Sequence, residues 1–414
     1  MEHHAKPGRP IGLVCLAILG LVAAQQMVNP VLPPLARQLG LSEVALGAVW
    51  TVGGAGIVLA SPAWGRLIGR WGHRRVLLVS LGAAGVALLV FAAVAQAGLV
   101  GALALAPLFG LLLLTRGVVF GVAWAGTPVA AQSFVAESTS GEAQRVRGFS
   151  LIAAAQGLGM AVGPAIGGGL SGFGLLAPLY VAPVVLLAVA LVVARGMPRS
   201  PAARDDAGPR SVHVGPRDRR VRPFLVTAFV MYLSLALVLM TVGFLVQDRL
   251  GLDPQETGRS TALVMLAGAT AMILVQGVVV PRLAWGPPRL IRVGSFVMAA
   301  GMSVILVAHA AGLIAAGLAV VGAGIGLGAP GFMSMPTLLV TAQEQDSVAG
   351  LMNSGIALAM MLAPLFGTIL YAASPAAPYL VGLILLVALA GFALVDPALR
   401  APSATDHPLT VNRR

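Results

Sequence analysis

Twelve apolar runs of about 20 residues, the length needed to cross a bilayer core of about 30 Å, recur along this 414-residue sequence. No water reaches the backbone in such a core, so each run must satisfy its own N–H and C=O groups, and a helix does this within one segment. The runs read as 11–35, 44–68, 76–97, 103–136, 146–170, 176–196, 223–247, 258–281, 289–309, 312–341, 348–371 and 377–396. With 58% hydrophobic residues, 10% charged residues and a mean hydropathy of +0.93, the chain lies outside the range of soluble domains. The first run has no small-residue cleavage site before its polar cluster and reads as retained.

A net charge of +12 raises the question of nucleic acid, and the placement of the basic residues answers it. They fall in alternate loops. One side receives Lys6, Arg9, Arg66, Arg70, Arg74, Arg75, Arg145, Arg147, the stretch from Arg195 to Arg222, Arg282, Arg289, Arg292 and the tail arginines. The other receives Arg37, Arg249 and Arg259. This bias places both termini in the cytoplasm, and it spends the charge on topology rather than on a phosphate backbone. No nucleic-acid partner is expected. Cys15 is the single cysteine, so no intrachain disulfide or thiolate metal cluster is available.

The polar interval 197–222 has no apolar periodicity and divides the runs six and six. The expected organisation is a six-helix half over 1–196, a cytoplasmic linker over 197–222, a second half over 223–396 and a cytoplasmic tail over 397–414. The halves echo one another. Gln38-Leu39-Gly40-Leu41-Ser42 with Gly47 matches Arg249-Leu250-Gly251-Leu252-Asp253 with Gly258; Trp71-Gly72 matches Trp285-Gly286; Pro164 and Gly167 match Pro364 and Gly367. Matches in order at a near-constant offset mark an internal repeat. Parallel half repeats in a membrane form a midplane site whose access alternates as the halves rock.

Two local motifs carry more. After the second run comes Gly65-Arg66-Leu67-Ile68-Gly69-Arg70-Trp71-Gly72-His73-Arg74-Arg75, and the fifth run holds Gly159-Met160-Ala161-Val162-Gly163-Pro164-Ala165-Ile166-Gly167-Gly168. The first resembles the loop signature between helices 2 and 3 of the major facilitator superfamily, with Gly69 where an aspartate is usual. The second resembles the G-x-x-x-G-P-x-x-G-G signature of that superfamily's drug:proton antiporters without a departure. Gly159, Gly163 and Gly167 share one helix face and permit close backbone approach, and Pro164 favours a bend. Generic small-residue packing explains the glycine spacing but not the added proline and second glycine.

The resemblance covers the whole chain and implies an all-α polytopic fold of twelve helices in two pseudo-symmetric halves, with helices 1, 4, 7 and 10 around a central cavity. In this reading Gly65, Arg66, Gly69, Arg70, Gly72 and Arg74 with Glu137 shape the inner gate, and Gly159, Gly163, Pro164, Gly167 and Gly168 the outer one. Arg116 lies near the centre of the fourth run, where a charge costs about 2.5–3.5 kcal/mol on insertion scales. It resembles the arginine of the family's helix 4 motif, with Gly121 one residue late, and its expected partners are Gln25, Gln26 and Asn29. It is read equally as a coupling or anion-binding residue and as a structural tie. Gln156, Tyr232, Phe332 and Asn353 are further candidates by depth, and most of the 15 methionines, from Met231 to Met361, lie in the second half. Flexible thioethers suit either a cavity for varied apolar ligands or ordinary packing.

The resemblance implies export of amphipathic compounds, not an enzyme. It implies no cofactor, the proton motive force as driving force, and a functional monomer whose partners are a small-molecule substrate and the bilayer. No Asp or Glu lies in the middle of a run, and Ala24 stands where some relatives carry an acid. A specific carrier or uniporter for one anionic metabolite is the alternative.

Overall fold

The structure is a computed structural model that describes residues 8–139, 142–198, 214–283, 285–341, 344–396 and 399. Among these residues there is no strand, and eleven helices are long and apolar enough to cross a membrane. We number them α1 (Pro10–Gln38), α2 (Glu43–Leu99), α3 (Leu105–Ser138), α4 (Arg147–Ser171), α5 (Ala177–Gly196), α6 (Arg222–Leu250), α7 (Pro254–Leu283), α8 (Pro287–Val307), α9 (Ala311–Leu338), α10 (Ser347–Ala373) and α11 (Ala377–Val395).

The count is reconciled with twelve crossings inside α2. Its 57 residues would extend about 85 Å at 1.5 Å per residue, nearly three times a bilayer core. Gly72 breaks the rod with φ 74° and ψ 161°, a conformation that only glycine adopts without strain. The arms 43–71 and 73–99 are the second and third runs, so a single residue turns the chain where the sequence suggested a connecting loop. The fourth run is therefore α3 and the fifth is α4. Two helices also contain a π-helical stretch, Leu113–Val119 in α3 and Val275–Val279 in α7.

The internal repeat is visible in local geometry. Gly40 and Gly251 both take positive φ, at 72° and 61°. Just beyond them, Ser42 accepts the Ala45 N–H at 3.2 Å to cap α2, and Asp253 accepts the Gln255 and Glu256 N–H groups at 2.8 and 2.9 Å to cap α7. The same glycine turn followed by an N-cap thus starts a helix at both places.

By contacts the chain forms two units, Met1–Ala207 with Met240–Leu266 and Pro364–Ala372, and Gly208–Leu239 with Ala267–Ala363 and Ala373–Arg414. In the first, α4 packs on α1 and α2 packs on α3 and α5. Helices gain no hydrophobic free energy by leaving lipid for one another, so close seams need small residues. Gly53 and Gly121 supply one such seam: a Cβ on Gly121 would strike the Gly53 carbonyl oxygen. In the second unit α8 packs on α9 and α11. There a Cβ on Gly294 would meet the Gly324 oxygen at 2.7 Å, and one on Gly317 the side chain of Ile305 at 2.6 Å.

Candidate functional site

The glycine motif of α4 builds the seam against α1. A Cβ on Gly159 would lie 2.9 Å from Val22 Cβ, and one on Gly163 would lie 2.6 Å from Gln26 Cβ and 2.7 Å from the Ala23 oxygen. A Cβ on Gly167 would strike the Met27 oxygen, while Gly168 faces Ala262 of α7 instead. Pro164 sits inside an uninterrupted helix. Three glycines thus press α4 onto the segment of α1 that carries Gln25, Gln26 and Asn29.

On that segment Asn29 Nδ2 donates to Gln26 Oε1 at 2.6 Å, and Asn29 Oδ1 is buried without a partner. Gln25 is half-buried. The sequence pointed to these three as partners of Arg116, and the structure corrects this. Arg116 is 4% exposed and stacks its guanidinium over Phe120, 4.2 Å from the ring centroid. Its Nε and Nη2 are buried with no hydrogen-bond partner. The π-helical stretch that carries it packs on α2, and a planar, weakly hydrated guanidinium finds an aromatic face acceptable where an ammonium would not. Trp124 lies two turns further along the same face, and its Nε1 is also buried and unpaired. The face of α3 bearing Arg116, Phe120 and Trp124 therefore offers donors and aromatic surface and lacks acceptors.

The glycine–arginine motif clamps α2 to its neighbours. Trp64 Nε1 donates to the Val122 oxygen at 2.7 Å, and Ser80 and Thr127 hydroxyls meet at 2.8 Å. Past Gly72, Arg74 Nη2 donates at 2.5 Å to the Ala194 oxygen in the last turn of α5, where carbonyls lack helical partners. Glu137, expected beside Arg70 or Arg74, accepts from Ser133 at 2.8 Å and stands 3.4 Å from His73 Nε2. Gly65, Arg66 and Arg70 are exposed, and Gly69 is half-buried. His73 is the nearer partner because the turn at Gly72 points the first residue of the second arm towards α3.

At the other end of the first unit, polar side chains from the ends of several helices form a cluster. Arg37 donates through Nε and Nη2 to Glu43 Oε1 at 3.1 and 2.8 Å, and through Nη1 and Nη2 to the two oxygens of Asp248 at 2.5 and 3.0 Å. Nη1 also reaches Gln247 Oε1 at 3.2 Å, and the guanidinium lies 5.1 Å from the Phe244 centroid. Tyr371 OH donates to Asp248 Oδ2 at 2.6 Å. Four side chains, one from α2 and three from α6, thereby satisfy this arginine of α1, and Tyr371 of α10 supports Asp248 in turn. Beneath them the Thr51 hydroxyl accepts the Leu365 N–H at 3.2 Å. A signal was present in the sequence: the repeat aligns Gln38 with Arg249, so Arg37 and Asp248 occupy equivalent positions. Beside the cluster a groove of about 640 Å³ is lined by Gln38, Leu99, Phe173, Leu176, Asp253 and Gln255, none of them a predicted site residue.

In the second unit Tyr232 and Phe332 pack edge to face at 6.1 Å, whereas Asn353 is exposed; Gln156, on α4, is half-buried. Met231 fills the space at Gly328, Met298 that at Gly324 and Met302 that at Gly382, so these methionines act in packing. Among the described residues no group of three His, Cys, Asp or Glu is arranged to hold a metal.

A membrane bundle of duplicated helices, with a buried unpaired cation and ionic groups at helix ends, is the architecture of a secondary transporter. The chain belongs to the Major Facilitator Superfamily, whose sequence profile matches residues 14–309 and, in an overlapping match, 224–411. It is 29% identical to the class G tetracycline resistance protein of Vibrio anguillarum over 96% of this chain and 99% of that one. It is 28% identical to the class C protein of Escherichia coli over 94% and 95%. Among solved structures, a bacterial homologue of the lysosomal transporter Spinster aligns with a TM-score of 0.72 at 15% identity, covering 94% of this chain and 97% of that one. The nucleoside transporter NupG aligns with a TM-score of 0.72 at 12% identity, covering 96% and 100%. These two establish the fold. The relatives at higher identity place the chain beside the drug-antiporter branch, and it is a multi-pass membrane transporter, not an enzyme.

Proposed function

We propose that this protein exports amphipathic small molecules across a bacterial plasma membrane by alternating access, in exchange for protons, and that compounds of the tetracycline class are its first candidates. Full-length similarity to tetracycline resistance proteins supports export. The observation that carries the site assignment is Arg116, buried at mid-helix beside Phe120 with two donors unpaired. Nothing retains such a group more simply than a ligand that brings acceptors and an apolar body. Gln25, Gln26 and Asn29 of α1 complete the polar end of the site. The arginine-rich Gly72 end faces the cytoplasm, as do both termini, and the Arg37 end faces outward. The protein works as a monomer, needs no cofactor and draws on the proton motive force.

Arg116 also favours a second reading. With no carboxylate to neutralise it, it suits the carboxylate or phosphate of a single metabolite in a carrier or uniporter. Everted vesicles with an acid interior separate the two. Dissipation of the gradient by tetracycline and by several unrelated amphiphiles, lost in Arg116→Ala vesicles, supports proton-coupled export of many compounds. A response confined to one small anion supports the specific carrier. Substrate flux with no movement of protons removes the coupling.

A further inference from the structure

We propose that Trp124 is a specificity-determining residue of the Arg116 site, where it holds a neutral oxygen acceptor at the far end of an elongated aromatic anion. The inference rests on the anion-binding role proposed for Arg116 and describes the rest of the molecule that such a site takes. Among the described residues, the buried side-chain donors of α3 left without a hydrogen-bond partner are Nε and Nη2 of Arg116 and Nε1 of Trp124. The hydroxyls of the same helix are spent within the bundle. Thr115 donates to the Leu111 oxygen at 2.7 Å, and the Thr127 and Ser80 hydroxyls meet at 2.8 Å. Trp64 of α2 shows what an indole does as a structural tie, since its Nε1 donates to the Val122 oxygen of α3 at 2.7 Å. Trp124, half-buried and two residues further on, makes no such tie.

An indole N–H donates, cannot accept and carries no charge. A buried donor left unpaired costs more than a made bond returns, so a position that keeps one is fitted to an acceptor that comes and goes. The Arg116 guanidinium lies 4.2 Å from the Phe120 centroid. Trp124 follows Arg116 on the same helix after about 12 Å of rise at 1.5 Å per residue. The order along this face is therefore cationic donor, aromatic ring, neutral donor. A ligand that satisfies all three carries an anionic oxygen at one end, a flat aromatic body, and a carbonyl or similar neutral oxygen at the other. A small carboxylate reaches Arg116 alone and leaves Trp124 unpaired. A second anion finds no positive charge at the Trp124 end, and an ammonium meets only donors at either end. Arg116 selects by charge and Trp124 by length.

The test measures equilibrium binding of two rod-shaped probes to the full chain in lipid nanodiscs, with binding to empty discs subtracted. One is a biphenylcarboxylate acetylated at the opposite para position; the other carries isopropyl there, the same shape without the distal acceptor. The wild type should bind the acetyl probe about three- to tenfold more tightly, the net worth of one hydrogen bond. The corresponding benzoates, too short to reach both donors, should show no such preference. Trp124→Phe keeps an aromatic ring, loses the N–H and should bind both rods alike. Trp64→Phe loses a paired N–H, so it should melt earlier and keep the preference. Arg116→Gln should weaken both rods by more than about tenfold. A preference that is absent in the wild type, is shared by the short pair or survives Trp124→Phe overturns the role of Trp124 and leaves the Arg116 site standing. Binding of neither rod, or binding indifferent to Arg116→Gln, overturns both. The preference is a ratio within one preparation, so a partly misfolded variant binds less of each probe without changing it.

Discussion

Replacing Gly163 by alanine tests whether the α1–α4 seam does more than fill space. The new methyl would lie 2.6 Å from Gln26 Cβ and 2.7 Å from the Ala23 oxygen, against 3.4 Å for the start of ordinary contact. Neither neighbour is the free end of a flexible chain, so α4 must retreat from α1 by about 0.8 Å at that level, and overpacking of this kind costs about 1–3 kcal/mol. If the seam forms in one access state and loosens in the other, the whole cost falls on one state and shifts their balance by about 5- to 150-fold. Transport of tetracycline, the proposed first candidate substrate, in everted vesicles should drop within that range, and the detergent-solubilised protein should melt earlier. Gly157→Ala and Gly169→Ala, on the same helix with nothing within 4 Å of the added methyl, should leave both readings unchanged, since alanine is the better helix former. If Gly163→Ala behaved like these two controls, the argument from close approach would be wrong.

Three further outcomes follow from the geometry. Gly72→Ala places a side chain at φ 74°, ψ 161° and should destabilise the protein by about 1–3 kcal/mol, measured as melting temperature against Gly65→Ala, whose added methyl meets nothing within 4 Å. On the proposed cytoplasmic side, Arg220 pairs with Asp218 at 2.8 Å and Glu344 at 3.0 Å. The Arg220 guanidinium and the Thr341 N–H and hydroxyl hold the Glu344 carboxyl down to about 2, from an ordinary 4.5. The folded value is depressed, so this pairing is fully present above pH 4.5 and lost as pH falls towards 2. Hydrogen exchange at residues 214–222 should be flat from pH 8 to pH 5 once corrected for the intrinsic rate, and faster throughout in Glu344→Gln. Arg116→Met should abolish transport while raising the melting temperature of the empty protein slightly; a lowered melting temperature with transport retained would make Arg116 a structural tie.

What could be read from the sequence was whatever depends on neighbours along the chain. Apolar length gave the helices, and spacing of four put Gly159, Gly163 and Gly167 on one face. The depth of Arg116 in its run marked it as buried. What escaped depends on which helices meet. The separation of 211 residues between Arg37 and Asp248 hides their pairing, although the repeat aligned them. Gln26 was expected as a partner of Arg116, but the guanidinium stacks instead on Phe120, four residues along its own helix. His73 rather than an arginine meets Glu137 because Gly72 turns the chain in one residue, which spacing alone does not reveal.

The energetics of Arg116 bear on the substrate. A central arginine costs about 2.5–3.5 kcal/mol on insertion scales. A desolvated cation–π contact such as that with Phe120 returns about 2 kcal/mol, leaving an empty site disfavoured by about 1 kcal/mol. Two unpaired donors on the guanidinium and one on Trp124 add to the imbalance, so replacement by a fitted apolar side chain ought to stabilise the unliganded protein. A lipophilic cation brings nothing to such a site and adds repulsion. A flat molecule with an anionic oxygen gains charge-assisted bonds of about 1.5–3 kcal/mol and stacks on the same aromatic face. Under the proposed role of Arg116, selectivity for acidic oxygen over ammonium is the expected outcome, and it should disappear in a variant that places a carboxylate opposite Arg116, as uptake of an anionic and a cationic probe side by side would show.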